Sequence, residues 1–307
     1  MKPERKLKIV VFAGYACNNS CVFCVNADKR GLPERGWEEL AREIYRAAAL
    51  KPGVLELIGG EATIRPDFLR LVALAKKLGV PEVVCATNGR AFADAAFARS
   101  AVKAGLGSLI FSVHGPDAKT HDSLTGVKGS FAALRRGLAN LRRLGFTRIN
   151  GNTTVVKGNM RRLPELARFY IRNKVRNVEF IFVDPSSGGA KSAFREVVPR
   201  ISAAAPYMRR ALAAGLKAGY DQWKARYVPL CFFKGFETQV SELAERELYH
   251  TEHWAQDFRN RDASASRAKV GRKKTSRCRG CALYEKCEGL WKSYLERYGD
   301  KELKPVK

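Results

Sequence analysis

The chain has 307 residues, 46% of them hydrophobic, with eight cysteines and a formal charge of +26 from 56 Lys and Arg against 30 Asp and Glu. That composition is that of a globular rather than a disordered chain and leaves room for one large core and a smaller unit. No run approaches the roughly 20 apolar residues that span a bilayer, and the amino terminus lacks the apolar segment of a signal peptide, so a cytoplasmic protein with no membrane partner is expected. In that compartment the cysteines are expected as reduced metal ligands rather than disulfides. The charge favours anionic partners, whether nucleic acid, a phosphorylated metabolite or an acidic peptide, and does not choose among them.

The first apolar run, Leu7 to Ala13, reads as a buried strand and leads directly into Cys17-x3-Cys21-x2-Cys24. Three thiolates on one short loop can hold three irons of a cubane cluster and leave the fourth open to a small molecule. A zinc knot is the other use of such thiols, although zinc prefers four ligands in paired spacing. Five further strands are predicted at Val54 to Ile58, Glu82 to Thr87, Ser108 to Val113, Ile149 to Val156 and Val178 to Val183. Each is followed by a helical pattern, such as Phe68 to Leu78 or Phe131 to Leu144, which is the signature of βα units and a parallel sheet. The unusual residues follow the strands: Gly59-Gly60-Glu61 the second, Thr87-Asn88-Gly89 the third and Ser112-Val113-His114-Gly115 the fourth. Parallel α/β barrels carry their sites on those loops. Cys85, inside the third strand, reads as a core thiol.

A Ser-, Gly- and Pro-rich stretch, Pro185 to Gly189, ends this region, and an Ala-rich helix is predicted around Ile201 to Ala218. Beyond it the pattern becomes irregular and four more cysteines appear, Cys231 and then Cys278-x2-Cys281-x5-Cys287. Four thiolates saturate either a 4Fe-4S cluster or a zinc ion. The expected division is a barrel over 1–200 and a smaller unit over 201–307. Arg259 to Arg279, dense in positive charge and poor in apolar residues, is expected to be an exposed, mobile loop. His250 and His253 carry no motif and are assigned to the surface, whereas Phe232, Phe233 and Trp291 are assigned to packing of the small unit.

The three-cysteine motif and Gly59-Gly60-Glu61, continued by Thr87-Asn88-Gly89, Ser112-Val113-His114-Gly115 and His121-Asp122-Ser123-Leu124-Thr125-Gly126, resemble the radical S-adenosylmethionine superfamily over about residues 7 to 185. Ala62 departs from the Pro that often follows GGE in that family. The resemblance implies an α/β fold, a partial (β/α)6 TIM-type barrel with a small C-terminal auxiliary-cluster domain. It implies that Cys17, Cys21 and Cys24 hold a 4Fe-4S cluster whose free iron chelates S-adenosylmethionine, and that Glu61 binds the methionine ammonium. Phe23 would abut the adenine, Ser112 and Thr154 would meet the carboxylate or ribose, and Gly59, Gly60, Asn88 and His114 would complete the cofactor site. The reaction implied is reductive cleavage to a 5′-deoxyadenosyl radical that abstracts hydrogen from a substrate.

The second cysteine group resembles the SPASM and twitch auxiliary-cluster domains of the same superfamily over roughly 225 to 307. Trp291 stands where a SPASM domain would place a further Cys, so one auxiliary 4Fe-4S cluster on Cys231, Cys278, Cys281 and Cys287 is expected, with zinc as the alternative. By the same resemblance the substrate is a peptide or peptide-derived molecule, and the electron donor a flavodoxin or ferredoxin. The charge keeps two other readings open: radical modification of a nucleotide or RNA, and a non-catalytic iron-sulfur or zinc protein that binds nucleic acid.

Overall fold

The computed structural model describes residues 5–307. Six parallel strands appear within one residue of the expected bounds: β1 (Lys6–Phe12), β2 (Val54–Ile58), β3 (Glu82–Thr87), β4 (Ser108–Ser112), β5 (Ile149–Val155) and β6 (Val178–Phe182). Helices α1 (Trp37–Ala49), α2 (Phe68–Lys77), α3 (Ala95–Lys103), α4 (Ala118–Thr125), α5 (Ser130–Arg143) and α6 (Leu163–Arg172) lie between them. The chain then forms α7 (Gly188–Ser192), α8 (Phe194–Val197) and α9 (Ile201–Lys217). The α/β partial barrel expected from the sequence is the observed architecture.

Three further strands, which the sequence pattern does not announce, extend this sheet: β7 (Lys224–Arg226) beside β6, β8 (Tyr249–Trp254) parallel to β1, and β9 (Arg259–Asn260) at the far edge. The sheet order is therefore β7-β6-β5-β4-β3-β2-β1-β8-β9, with α10 (Ser241–Leu248) between β7 and β8 in sequence. Beyond it lie α11 (Ala263–Ser266), a two-stranded sheet of β10 (Arg272–Lys273) and β11 (Leu290–Trp291), and α12 (Lys292–Tyr298).

Alternation along the strands explains the layers. In β1, Ile9 and Val11 join the large core under the helices, whereas Val10 and Phe12 form a separate cluster with Tyr15 on the other face. In β5 and β6 the helix-facing residues are buried and the alternate ones, including Asn152, Thr154, Glu179 and Ile181, are only half-buried, so the inner face is polar and open. Six helices hand the chain to the next strand through a left-handed residue directly after the helix cap. Gly79, Gly105, Gly145 and Gly219 fill that position after α2, α3, α5 and α9, and Lys51 and Lys174 fill it after α1 and α6. Backbone bonds such as Val80 N to Ala75 O and Phe146 N to Leu141 O close these turns.

The basic stretch from Arg259 to Arg279 is more ordered than the loop expected, although six of its nine cations are exposed. It contains β9, α11, a single π turn over Arg267–Gly271 and β10, and both Arg267 and Arg272 are buried. Carboxylates from distant segments explain this. Arg267 pairs with Glu288 at 3.0 Å and Glu245 at 3.0 Å, and Glu245 also pairs with Arg226 at 2.9 Å. Against the upward push of burial, Arg226 and Arg267 hold the Glu245 carboxyl down at about 2. His253, assigned to the surface from sequence, instead stands edge-on to Phe12 at 5.9 Å, with its pKa lowered to about 4 by burial. Among the described residues no helix is long and apolar enough to cross a membrane.

Candidate active site and second cysteine site

Cys17, Cys21 and Cys24 lie on the loop after β1, at the carboxyl end of the barrel, all half-buried. The Asn19 amide donates to Cys17 Sγ at 3.4 Å. Burial, followed by the neighbouring thiols of Cys24 and Cys17, pushes the Cys21 thiol up to about 12. Thiols crowded in this way are stabilised by losing protons to a bound metal.

The loops after the next strands hold this loop in place. Gly60 N donates to Gly14 O at 2.9 Å and Glu61 N to Ala16 O at 2.8 Å. A Cβ on Gly59 would lie 2.1 Å from Gly14 O, and one on Gly60 2.1 Å from Ala16 O. The paired glycines are thus required because two backbones touch. Asn88 Nδ2 donates to Asn18 Oδ1 at 2.6 Å, and Arg90 reaches both Asn18 O and, at 3.0 Å, Asn19 Oδ1. Gly189 N donates to Cys24 O at 2.9 Å, and at Gly188, whose φ is +53°, a Cβ would meet Cys24 O at 2.1 Å.

Glu61 is held by donors of the protein itself. Its carboxylate accepts from Thr63 N at 3.2 Å, Thr63 Oγ1 at 2.5 Å, Thr87 Oγ1 at 2.7 Å and Asn88 N at 2.6 Å, and the residue is buried. Three of these donors meet Oε1 and one, Asn88 N, meets Oε2, so Glu61 ties the loop after β2 to the loop after β3 while Oε2 keeps acceptor capacity. Burial pushes its pKa up, opposed by the Asn88, Thr63 and Thr87 hydrogen bonds.

Around the same mouth, Phe23 is buried with its ring edge-on to His114 at 4.7 Å. His114 Nδ1 accepts from Thr154 N at 3.3 Å, and Asn159 Nδ2 donates to His114 O at 3.0 Å. Burial, with His121 adding to it, lowers His114 to about 3. The ring is accordingly neutral, and with Nδ1 accepting, its proton sits on Nε2. Ser112, the last residue of β4, and Thr154, near the end of β5, are half-buried on the inner face. Cys85 is fully buried in β3. Sequence reasoning passed over Asn18, Asn19, Arg90, Asn159 and the Gly188-Gly189 pair; the only sequence signal for the last is the Gly-rich stretch after the sixth strand.

Cys231, Cys278, Cys281 and Cys287, drawn from three turns, line one pocket together with Pro229, Leu283 and Leu303. Backbone amides are directed at the sulfurs: Leu230 N and Gly289 N at 3.4 and 3.3 Å from Cys287 Sγ, and Val306 N at 3.3 Å from Cys281 Sγ. Burial and, behind it, the other three thiols push Cys231 up to about 11. Among the described residues no three His, Cys, Asp or Glu side chains converge on the single point one ion would occupy.

Comparison with known proteins places this arrangement. The family model described as "Radical SAM superfamily" matches residues 11–170. The chain belongs to the radical SAM superfamily. Its cofactors are accordingly a 4Fe-4S cluster and S-adenosylmethionine. Among curated relatives it is 34% identical over 169 residues to GTP 3′,8-cyclase of Marinobacter nauticus, covering 54% of this chain and 50% of that protein. It is 32% identical over 164 residues to the mycofactocin maturase MftC of Mycolicibacterium smegmatis, covering 52% and 40%. The chain thus spans about half the length of the curated relatives it matches. Among solved structures, native anSMEcpe with bound AdoMet and Cp18Cys peptide superposes with a TM-score of 0.66 at 14% identity, covering 98% of this chain and 92% of that one; that likeness concerns the fold.

Proposed function

We propose that this radical SAM enzyme abstracts hydrogen from a peptide or peptide-derived substrate, with an auxiliary 4Fe-4S cluster assisting electron transfer. The observation that carries the reading is a three-thiol loop anchored by three neighbouring loops at the barrel mouth, in a chain of this family. The peptide class is supported by a maturase among the relatives and by a peptide bound in a structural neighbour.

Cys17, Cys21 and Cys24 would ligate the family cluster and leave one iron for S-adenosylmethionine. When bound, cluster and cofactor supply one-electron cleavage of the sulfonium and a hydrogen-abstracting radical. Because Thr154 N fixes its tautomer, His114 would offer a neutral Nε2–H to a bound cofactor. Ser112 and Thr154 add hydroxyls, Asn88 and the Gly59-Gly60 backbone hold the opposite wall, and Phe23 gives an apolar face for the adenine. Glu61 keeps this wall rigid, and its Oε2 would meet the methionine ammonium. Burial of Phe23 and His114 excludes water from the place where an unselective radical forms.

Cys231, Cys278, Cys281 and Cys287 would hold the auxiliary cluster. Four thiols spread around an apolar pocket, with amides aimed at the sulfurs, suit a cubane better than a zinc ion. The cleavage would need a one-electron reductant, for which a donor of the flavodoxin or ferredoxin type is the expected source. A nucleotide substrate is the second reading, favoured by the identity shared with a protein named for GTP cyclisation.

The test is a pair of variants handled without oxygen. Cys24→Ala should abolish 5′-deoxyadenosine formation, whereas Cys281→Ala should retain it while losing about half the bound iron. Equal loss of cleavage in both would count against the division of labour between the two sites.

A further inference from the structure

We infer that the floor of the barrel, the face opposite the cysteine loop, binds the phosphodiester backbone of nucleic acid. β1 to β7 run parallel, so the carboxyl ends of the intervening helices and the turns into the next strand all lie on this face. Counted from the last helical turn to the following strand, α1 and α2 contribute two Lys or Arg each, α3 and α9 one each, and α5 and α6 three each. These segments hold twelve cations and one acid, Asp221, with a second acid, Glu82 at the start of β3, paired to Arg148 at 2.6 Å, whereas the whole chain has 56 against 30.

Cations in a last helical turn complement the helix dipole and need no ligand. That accounts for eight of the twelve. It leaves Lys51, Arg148, Lys174 and Arg176, which lie outside the helices and are all exposed; Arg148 pairs with Glu82, so Lys51, Lys174 and Arg176 are the cations the fold does not account for. Lys51 and Lys174 adopt φ of +50° and +43° at the turn position where the other four connections have glycine. A lysine there strains the backbone that glycine would leave relaxed, so the turn itself does not explain the charge.

The chemistry of the face selects among polyanions. Its exposed apolar residues, Leu50, Leu144 and Leu216, are isolated, unlike the apolar core of a protein interface. It presents helix ends, not an amphipathic helix lying flat as membrane insertion requires. Dense Arg and Lys without an apolar centre is the composition of a nucleic-acid contact. In the Arg259–Arg279 stretch Arg267 is paired internally and Arg272 is buried, so of its nine cations the six exposed ones form a second basic surface away from the floor.

The full chain would be titrated against a labelled RNA of about 20 nucleotides at several salt concentrations, read by fluorescence anisotropy. Lys51→Gly/Lys174→Gly should weaken binding about tenfold and reduce the slope of log affinity against log salt by about 2, while raising the melting temperature. Arg148→Gln/Arg176→Gln, a second pair, should weaken binding similarly. Lys128→Gln/Lys191→Gln, which removes two exposed cations from the cysteine-loop side, should leave affinity within about twofold. The inference is overturned if the RNA fails to bind at low salt, if all pairs weaken binding equally, or if phosphatidylserine vesicles bind and the RNA does not.

Discussion

Glu61 links two of the loops that hold the cysteine motif, and its substitution should be felt through them. Glu61→Gln replaces one acceptor oxygen by an NH2 group facing donors from Thr63, Thr87 or Asn88. A buried donor-donor clash of this kind should cost about 2 to 4 kcal/mol in denaturant unfolding. The buried histidines set the acid limit. His114 and His121 have pKa values lowered by burial to about 3 and about 4 from 6.5. The unfolded chain therefore binds protons first, so their contribution is complete above pH 6.5 and is lost as pH falls toward 4. The melting temperature should drop across that window, and His121→Gln, which keeps an acceptor for the His114 amide, should make the drop shallower.

Two loop glycines, of which only Gly145 has a positive φ, separate packing from backbone strain. At Gly60 a Cβ meets two carbonyl oxygens, Ala16 O at 2.1 Å and Tyr15 O at 2.3 Å, whereas at Gly145 nothing lies within 4 Å. Gly60→Ala should therefore cost about 3 kcal/mol or more and reduce iron uptake, while Gly145→Ala pays only for its φ of +71°, about 1 kcal/mol. Calorimetric melts of the two proteins check the ordering. The strands β1 to β6 were legible because both faces alternate against helices or a lumen and apolar residues mark the helix side. β7 and β8 were not, since KAR and YHTEHW carry charged and imidazole groups toward an interior polar network that only the folded chain assembles. The basic stretch was misread for the same reason: Glu288, Glu245 and Arg267 are far apart in sequence, and local composition says nothing of their pairing. Cys17, Cys21 and Cys24 were legible because one loop holds all three. The contacts of Arg90, Asn159 and Gly189 depend on loops from different strands meeting, which spacing does not encode.

The whole molecule combines a barrel mouth built around thiols, a pocket of four more thiols and a basic floor on the opposite side. Anaerobic reconstitution should load about eight irons per chain, falling to about four in Cys281→Ala; about four in the parent would remove the auxiliary cubane and favour zinc. Reaction of the reconstituted, chemically reduced protein with S-adenosylmethionine is the most direct measurement. The arrangement around Cys17, Cys21 and Cys24 predicts methionine and 5′-deoxyadenosine in equal amounts; a fully reduced cluster that leaves S-adenosylmethionine intact would contradict it.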